Sequence, residues 1–433
     1  MCRASQKKCK PLRERSYWRT GVETALGSLE KTLREVAYTK YNGAQSGFPS
    51  DPGAGTGTAT PMHVLITSDT LNGNWTYARE LVSGLITRGM RVTLVSFGEI
   101  PLPEQTAWME RLHGLSYHPT AFRLDWMEDG QHDFDEASSY LCSLLKETRA
   151  DVFHSNHIAY GALPTAVPRV VVAHGDLITW WKAVHGREPK DSEWLRWYRR
   201  TIAQGLAAAS AVVAPSEWML NSIRSAYSGG AREVVIHNGR NPIFFNPYVA
   251  KEEGVLSIGR LLDPAKQVNL LTQEKHPVPV CIVGDEASEQ ATKVPLRADV
   301  RFRDGDAGVA LRGAQSESQL RLLYSKTAIY AGTSRYDPGG MTVLEAALSR
   351  CALVLNDIPP LRELWGQAAV YFRTNDSSSL AAAVRMMSED PRMRRNFANR
   401  AFQRARECYN AHRMTDNYIQ LYHSMLARRA SAA

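Results

Sequence analysis

Short apolar runs alternate with helical patterns from residue 62 almost to the end of the chain. The runs at 62–68 and 92–97 have the length and β-branched content of buried strands, and an amphipathic helical pattern at 77–88 lies between them. A strand, a helix and a second strand in this order indicate parallel pairing through a right-handed crossover. The pattern therefore predicts an α/β protein built on parallel sheets.

The alternation falls into two blocks, separated by a turn-rich connector at 237–242. We expect two doubly wound, Rossmann-like domains over 62–240 and 250–405, which face a central cleft at the carboxyl ends of their strands. A helical pattern from 391 to 427 closes the chain. The predicted strands are 62–68, 92–97, 151–154, 169–173, 211–214 and 234–236 in the first block, and 255–258, 280–283, 328–331, 352–355 and 369–372 in the second.

The first 61 residues look like an addition to this pattern. They hold ten basic and five acidic residues, and so carry +5 of the net charge of +8. Apolar residues recur at helical spacing over 22–36, which is consistent with an amphipathic helix that docks on the body of the protein or on an anionic membrane surface. A poorly ordered basic tail, followed by a flexible linker at 43–61, is the plainer alternative.

Composition argues against several classes of function. No apolar run approaches the roughly 20 residues that cross a bilayer, and the basic start lacks the apolar core of a signal peptide. The six cysteines are scattered without metal-ligand spacing, so we expect reduced thiols in a cytoplasmic protein, with peripheral contact at the inner membrane face as an option. The remaining +3 of charge gives little reason to invoke nucleic acid.

The stretch at 334–346 combines a tight turn with the start of a helix. It follows an apolar, strand-like run and turns through Asp337, a proline, a glycine and Gly340. A helical pattern at 343–348 comes next, and Thr342 is expected to cap it. A glycine turn before a helix N-terminus presents backbone N–H groups to an anion.

Charged residues on both sides of the cleft extend this anion site. Asp337 and Glu345 flank the turn, and because carboxylates repel phosphate, hydroxyl groups are their expected partners. Phosphate with hydroxyls on both sides describes a sugar nucleotide. Arg260, directly after Gly259, and Lys266 open the second block. In isolation these two cations would be ordinary solvated loop charges, but beside the glycine turn they can hold a diphosphate from both sides.

Several segments match a known family, in the family's own order. The chain from 62 to about 427 resembles the retaining family 4 glycosyltransferases of the GT-B fold, in which a final helix, here 406–428, crosses back to the first domain. The segment at 337–345 stands where the family has its E-x7-E motif. The matching segments are 72–73, 173–176, 214–216, 237–245, 259–266, 283–285 and 337–345.

The resemblance implies a role for each site residue. Arg260 and Lys266 would neutralise the leaving nucleoside diphosphate. Glu345 would bind the ribose hydroxyls, and His174 would contact the donor sugar near the reacting carbon. Gly73 would let the backbone of the first domain approach the diphosphate. The other residues implied in holding the donor sugar and phosphate are Gly259, Asp337, Gly339, Gly340, Met341 and Thr342.

The resemblance also implies the reaction. A nucleoside-diphosphate sugar would donate its sugar, with retention, to a glycan, lipid or small-molecule acceptor, in cell-envelope polysaccharide synthesis. No second carboxylate is placed as a nucleophile on the sugar face, unlike the paired acids of many glycosidases. The resemblance implies attack on the face of the leaving group, with the donor phosphate accepting the proton of the acceptor. A GT-B protein that binds sugar nucleotides or glycans without turnover and a sugar-nucleotide epimerase are the alternatives.

We expect no metal requirement. Asp133 and Asp135 have the Asp-x-Asp spacing that some glycosyltransferases use to hold a divalent ion. They precede a helical pattern, however, and acidic residues at a helix start need no metal to explain them.

The chain departs from the family in three places. Asp337 replaces a glutamate, Gly339 stands where an aromatic residue is usual, and the loop at 72–73 lacks one glycine. The first two bear on sugar preference. On the acceptor side, aromatic residues mixed with Lys and Arg could stack on sugars or could simply pack helices, and both interpretations stay open. These aromatic residues are Trp180, Trp181, Trp194, Trp197 and Tyr198.

Overall fold

The computed structural model describes residues 61–70, 73–127, 129–227, 231–260, 263–284 and 308–432. Residues 61–433 form one compact unit, and residues 1–60 lie outside the described part. The predictions for the helix at 22–36 and the linker after it, and those for Asn72 and Asp285, therefore concern residues that are not described. In the described part, no helix is long and apolar enough to span a bilayer.

The first sheet has seven parallel strands, counted over the described residues, in the order β3-β2-β1-β4-β5-β6-β7. The order switches direction between β1 and β4, as in a doubly wound sheet. Its central strands are buried along their whole length, as near-continuous apolar runs predict. The strands are His63–Asp69 (β1), Arg91–Phe97 (β2), Leu115–Pro119 (β3), Val152–Ser155 (β4), Arg169–Val172 (β5), Ala211–Ala214 (β6) and Arg232–Val235 (β7).

The second sheet repeats this order with six parallel strands among the described residues, β10-β9-β8-β11-β12-β13. Two strands, β3 and β10, were missing from the sequence prediction. Each lies at the edge of its sheet and is partly or fully exposed, so it lacks the apolar run that marks a central strand. The strands are Glu252–Ile258 (β8), Val280–Val283 (β9), Val309–Arg312 (β10), Thr327–Gly332 (β11), Ala352–Asn356 (β12) and Ala369–Phe372 (β13).

Helices connect successive strands and cover both sheets. The two sheets with their helices are the two doubly wound halves that the sequence pattern predicts, in the GT-B arrangement that the family resemblance implies. The helices of the described part are Asn74–Thr87 (α1), Pro103–Thr106 (α2), Gln131–Thr148 (α3), Leu177–His185 (α4), Glu193–Ala208 (α5), Glu217–Ala226 (α6), Glu317–Lys326 (α7), Met341–Leu348 (α8), Pro359–Trp365 (α9), Ser377–Glu389 (α10), Pro391–Cys408 (α11) and Ala411–Ala432 (α12).

The carboxyl-terminal helical pattern is divided in two. The helical pattern at 391–427 contains two helices, because α11 ends at Cys408 and α12, which corresponds to the crossing helix expected at 406–428, begins at Ala411. Helix α12 leaves the second sheet and packs on the first, where Tyr418 and Tyr422 are fully buried in its core. The break therefore lets the chain cross back between the sheets.

The crossing segment is bonded to the connector between the two sheets. The N–H of Arg240 donates to the carbonyl of Tyr409 at 3.1 Å, and the N–H of Ala411 donates to the carbonyl of Arg240 at 3.1 Å. A Cβ at Gly239 would lie 2.5 Å from the carbonyl oxygen of Asn410, so a larger residue at 239 would push the two segments apart. The connector and the crossing segment, which both pass between the two sheets, therefore hold each other in place.

Candidate active site

The glycine turn lies between β11 and α8. Gly340 has a φ of 57°, the left-handed conformation that glycine adopts without strain. The Oδ1 atom of Asp337 accepts a hydrogen bond from the N–H of Gly340 at 2.9 Å and so closes the turn. The first bond within α8 runs from the N–H of Leu344 to the carbonyl of Gly340. The N–H groups of 341–343 precede that bond at the positive end of the helix.

The predicted cap at Thr342 is wrong. Helix α8 begins at Met341, Gly340 occupies the N-cap position, and no side chain caps it. The left-handed backbone of Gly340 starts the helix earlier than the apolar pattern suggests, so Thr342 lies inside the first turn.

Gly339 faces the connector between the sheets. A Cβ at this position would lie 2.3 Å from the Nδ2 atom of Asn238. The amide of Asn238 therefore occupies the space that any side chain at position 339 would need. This contact gives a physical account of the departure at Gly339, and it brings the connector to the edge of the turn.

Lys266 lies beside the end of β11. The hydroxyl of Thr333 donates to the carbonyl of Lys266 at 2.6 Å, and the N–H of Arg335 donates to the carbonyl of Ala265 at 2.7 Å. The Lys266 side chain covers Gly259, where an added Cβ would lie 3.1 Å from it. The predicted cation is thus fixed next to the loop that carries the glycine turn.

Arg260 has a different environment from Lys266. Its guanidinium is 44% exposed and forms an ion pair with Asp263 at 2.8 Å. Screening by water makes such a pair weak, so the guanidinium can exchange Asp263 for a more highly charged phosphate.

Glu345 lies on the second turn of α8, close to a buried arginine. Its Oε1 atom is 3.0 Å from the Nε atom of Arg240, whose side chain is 1% exposed. The same guanidinium donates to Glu80 at 2.6 Å and to Glu317 at 2.8 Å. Glu345 keeps a 14% exposed side chain. Sequence reasoning missed Arg240, although a charged residue inside a turn-rich connector was a signal.

His174 follows β5 on the opposite side of the cleft. Its Nε2 atom is 2.9 Å from the Oδ1 atom of Asn156, and its ring lies edge-on to that of Tyr77 with 4.3 Å between centroids. Burial, with a smaller contribution from the nearby rings of His154 and His157, lowers the pKa of His174 to about 3. The imidazole is therefore neutral at physiological pH.

The turn and the His174 segment are joined directly. The side chain of Tyr336, the residue before Asp337, is buried in the core of the first sheet. Its phenol oxygen accepts a hydrogen bond from the N–H of Asp176 at 3.1 Å and lies 2.9 Å from the hydroxyl of Thr179. Two predicted site segments on different sheets thus share one contact, which the sequence did not indicate.

Part of the predicted acceptor-side aromatic group is structural. The Tyr198 hydroxyl donates to Asp176 at 2.8 Å, and the Nε1 group of Trp194 donates to the carbonyl of Met127 at 3.0 Å. Trp197 packs edge-on against Phe134. Trp180 and Trp181 pack against each other and against His185 at the end of α4.

Two further polar groups at this end of the first sheet had no sequence signal. Asp125 is 8% exposed, and burial raises the pKa of its carboxyl to about 6, with the nearby Asp176 and Asp69 carboxylates adding to the effect. His157 is 5% exposed, and its Nε2 atom has no hydrogen-bond partner among the described residues. Both follow strands of the first sheet, Asp125 after β3 and His157 after β4.

Gly73 begins α1 with open space around it. Its φ of −59° and ψ of −10° suit any residue, and an added Cβ would meet no atom of the described residues within 4 Å beyond its chain neighbours. Glycine is therefore not required at this position by the protein itself.

The Asp-x-Asp segment lies at the start of α3. The Oδ2 atom of Asp133 accepts the N–H of Arg123 at 2.8 Å, which places this carboxylate in a structural role. Among the described residues, no group of three or more His, Cys, Asp or Glu side chains is arranged to hold a metal ion.

Known families match both halves of the chain. Residues 71–243 match the family described as Glycosyltransferase Family 4, and residues 245–404 match Glycosyl transferases group 1. No curated protein matches the sequence significantly.

Solved structures share the fold at low sequence identity. Sucrose-phosphate synthase from Thermosynechococcus elongatus has a TM-score of 0.68 at 16% identity, covering 85% of this chain and 100% of that chain. A glycosyltransferase from Rickettsia africae has a TM-score of 0.62 at 14% identity, with 85% and 99% covered. HepE from Anabaena, solved with UDP-glucose, has a TM-score of 0.62 at 16% identity, with 84% and 100% covered.

The two consecutive family matches agree with the two parallel sheets and with the fold of these structures. The chain is therefore a family 4-like glycosyltransferase of the GT-B fold.

Proposed function

We propose that the protein transfers a sugar, with retention of configuration, from a nucleoside-diphosphate sugar to a glycan, lipid or small-molecule acceptor. The arrangement around Lys266 carries this proposal. Hydrogen bonds from Thr333 and Arg335 hold the backbone at Ala265 and Lys266 against the loop that leads from β11 to the turn at Gly340, which supports a site where a cation and the N-terminus of α8 follow the neighbouring strands β8 and β11. The HepE structure with UDP-glucose supports the class of donor.

The chemistry depends on stabilising charge at the leaving group. Breaking a glycosyl–phosphate bond places positive charge on the sugar and negative charge on the diphosphate. Lys266, Arg260 and the N–H groups at the start of α8 would stabilise that negative charge, which is the main electrostatic contribution in such a site. Asp337 would hold the turn closed through its bond to Gly340.

His174 would act as a neutral hydrogen-bonding group. With the Asn156 oxygen as acceptor, its proton lies on Nε2, and the imidazole carries no charge that would repel the developing cation on the sugar. The acceptor hydroxyl would attack from the face of the leaving group. The departing phosphate oxygen would take its proton as the glycosidic bond forms and the sugar–phosphate bond breaks.

The same proposal includes independence from divalent metal, because Lys266 and Arg260 supply the positive charge. Activity measured in a chelator such as EDTA should equal activity measured with added Mg²⁺ or Mn²⁺. The proposal also includes a role in cell-envelope polysaccharide synthesis, which the family resemblance implies. It includes a cytoplasmic location, which the scattered cysteines favour, and peripheral contact at the inner membrane face, for which the basic N-terminal residues are suited.

A thermal-shift panel of UDP, GDP and ADP sugars tests donor binding. A ligand that binds the native state raises the melting temperature, and the shift should be lost in Lys266→Ala. Lys275→Ala is the matched control, since Lys275 is an exposed lysine in the loop that precedes β9. No shift with any donor, or an equal shift in Lys266→Ala, contradicts the assignment of the donor site.

The product distinguishes transfer from the alternatives. Incubation of the stabilising donor with candidate acceptors should give a glycoside whose anomeric configuration, read by NMR, equals that of the donor. Donor binding without any release of nucleoside diphosphate would indicate a binding protein. Conversion of the donor sugar in the absence of acceptor would indicate an epimerase.

A further inference from the structure

A group of six charged side chains meets where the connector passes between the two sheets. We call it the charge cluster. Its members come from α1, the connector, α7 and α8, and they carry three positive and three negative charges. They are Arg79, Glu80, Arg240, Glu317, Arg321 and Glu345.

Arg240 lies at the centre of the charge cluster. Its main chain is bonded on both sides to the crossing segment before α12, so its position does not depend on its side-chain partners. Its Nη1 atom donates to Glu80 at 2.6 Å and its Nη2 atom to Glu317 at 2.8 Å. A guanidinium with two bonded carboxylates and a fixed backbone is rigid.

The contact with Glu345 differs from the other two. The Nε atom of Arg240 lies 3.0 Å from Oε1 of Glu345, but its N–H does not point at that oxygen and has no acceptor in the described part of the chain. Glu317, by contrast, also accepts bonds from Arg79 and Arg321. Arg240 thus offers Glu345 positive charge without occupying its lone pairs.

Burial and charge act in opposite directions on Glu345. Burial raises the pKa of this carboxyl, and Arg240 opposes the rise. Burial likewise disfavours the charge of Arg240, but Glu345, Glu80 and Glu317 outweigh it and raise the pKa of the guanidinium. Arg240 therefore stays charged and is the nearest cation that favours an ionised Glu345.

We propose that Arg240 is a positioning residue for Glu345, which it holds as a fixed, ionised acceptor for the two ribose hydroxyls of the donor. The inference rests on the proposed function, since it takes a ribonucleoside diphosphate as the ligand. It adds that the ribose site depends on two residues outside the second sheet and its helices. They are Arg240 of the connector and Glu80 of α1, which packs on the first sheet. Donor recognition is thereby tied to the junction between the sheets.

The test uses the double variant Arg240→Met with Glu80→Gln, which removes the cation and one carboxylate together. Affinities for UDP, or the diphosphate that stabilises the wild type best, and for its 2′,3′-dideoxy analogue are measured by calorimetry. The wild type should prefer the ribonucleotide. The variant should lose about tenfold or more of that preference, because hydrogen bonds to a charged acceptor weaken while phosphate contacts persist.

Arg394→Met with Glu253→Gln is the matched control. Arg394 is another buried arginine and is bonded to Glu253 by both terminal nitrogens, away from the charge cluster. The control should change both affinities by the same factor, if at all. If Arg240→Met with Glu80→Gln does the same, Arg240 is only structural and the inference is overturned.

Two further outcomes are decisive. If the double variant does not fold, Arg240→Lys keeps a buried cation but loses the fork geometry, and an unchanged ribose preference in that variant overturns the inference. A wild type that binds UDP and its dideoxy analogue equally overturns the inference while leaving sugar transfer intact. A wild type that binds no nucleoside diphosphate overturns the proposed function as well.

Discussion

The phenol oxygen of Tyr336 lies 2.9 Å from the hydroxyl oxygen of Thr179, although the two residues follow strands of different sheets, β11 and β5. The same phenol accepts the N–H of Asp176, two residues after His174. Because Asp337 follows Tyr336 directly, the glycine turn is fixed to the segment that would face the donor sugar. The Tyr336 side chain therefore fixes the two halves of the candidate site relative to each other.

Tyr336→Phe should destabilise the protein by about 1–3 kcal/mol, since Thr179 and the N–H of Asp176 lose a buried partner. Urea unfolding followed by tryptophan fluorescence measures the free energy of unfolding. Tyr248→Phe is the control, because Tyr248 is 78% exposed and should change stability by less than about 0.5 kcal/mol. Equal stability of the two variants would contradict the anchoring role of Tyr336.

Gly339→Ala should destabilise the turn by about 1–3 kcal/mol, because the new Cβ would overlap the amide of Asn238. Asn238→Ala removes that amide, so the double variant should recover much of the loss and donor binding with it. Gly313→Ala, which meets no atom within 4 Å, is the steric control. Strictly additive effects of Gly339→Ala and Asn238→Ala on unfolding would show that the two positions are uncoupled.

Asp125→Asn should change how stability depends on pH. The carboxyl has a pKa of about 6 in the folded protein and an ordinary value of 3.8, so the native state holds the proton more tightly. This group therefore contributes stability below about pH 4 that is lost as pH rises to about 6, up to about 3 kcal/mol in total. Asp125→Asn has no ionisable carboxyl at this position, so its stability does not fall in this way as the pH rises.

Unfolding free energies of wild type and Asp125→Asn, measured between pH 4 and 7, check the sign. The variant should gain stability relative to wild type across this range. The exposed Asp135→Asn substitution serves as the control. A difference between Asp125→Asn and wild type that stays constant with pH would contradict the burial of an ionisable Asp125.

Gly73→Ala separates folding from ligand contact. The backbone at Gly73 is helical and the surrounding space is open, so the variant should be as stable as wild type or about 0.4–1 kcal/mol more stable. If the backbone there approaches the diphosphate, the donor should nonetheless bind more weakly by calorimetry. Unchanged affinity would place Gly73 away from the phosphates.

Local sequence signals predicted much of the framework. Buried strands such as β1 and β5 were found because apolar runs of this length fit a parallel sheet covered on both faces. The edge strands β3 and β10 were missed because half-exposed strands carry no such run. The break before Ala411 was missed because helical periodicity continues through it, and only the crossing between sheets interrupts the helix.

Part of the candidate site could likewise be predicted from local sequence signals, and part could not. The turn at Gly340 and the cation at Lys266 could be predicted, since turn residues and charges at strand ends act within a few positions of the chain. The length of α8 and its lack of a Thr342 cap could not, because they depend on the left-handed backbone of Gly340 and on the Asp337 bond.

The sequence by itself determined the two-sheet α/β architecture, the glycine turn and the charges at the strand ends, because periodicity and turn chemistry are local properties. Only the tertiary structure decided that Tyr336 enters the first sheet's core and that Arg240 meets Glu345. Those contacts join residues more than 100 positions apart. Packing of the two sheets brings such residues together. A buried charge or phenol then forms a hydrogen bond or an ion pair with a nearby polar group, because burial without a partner would cost free energy.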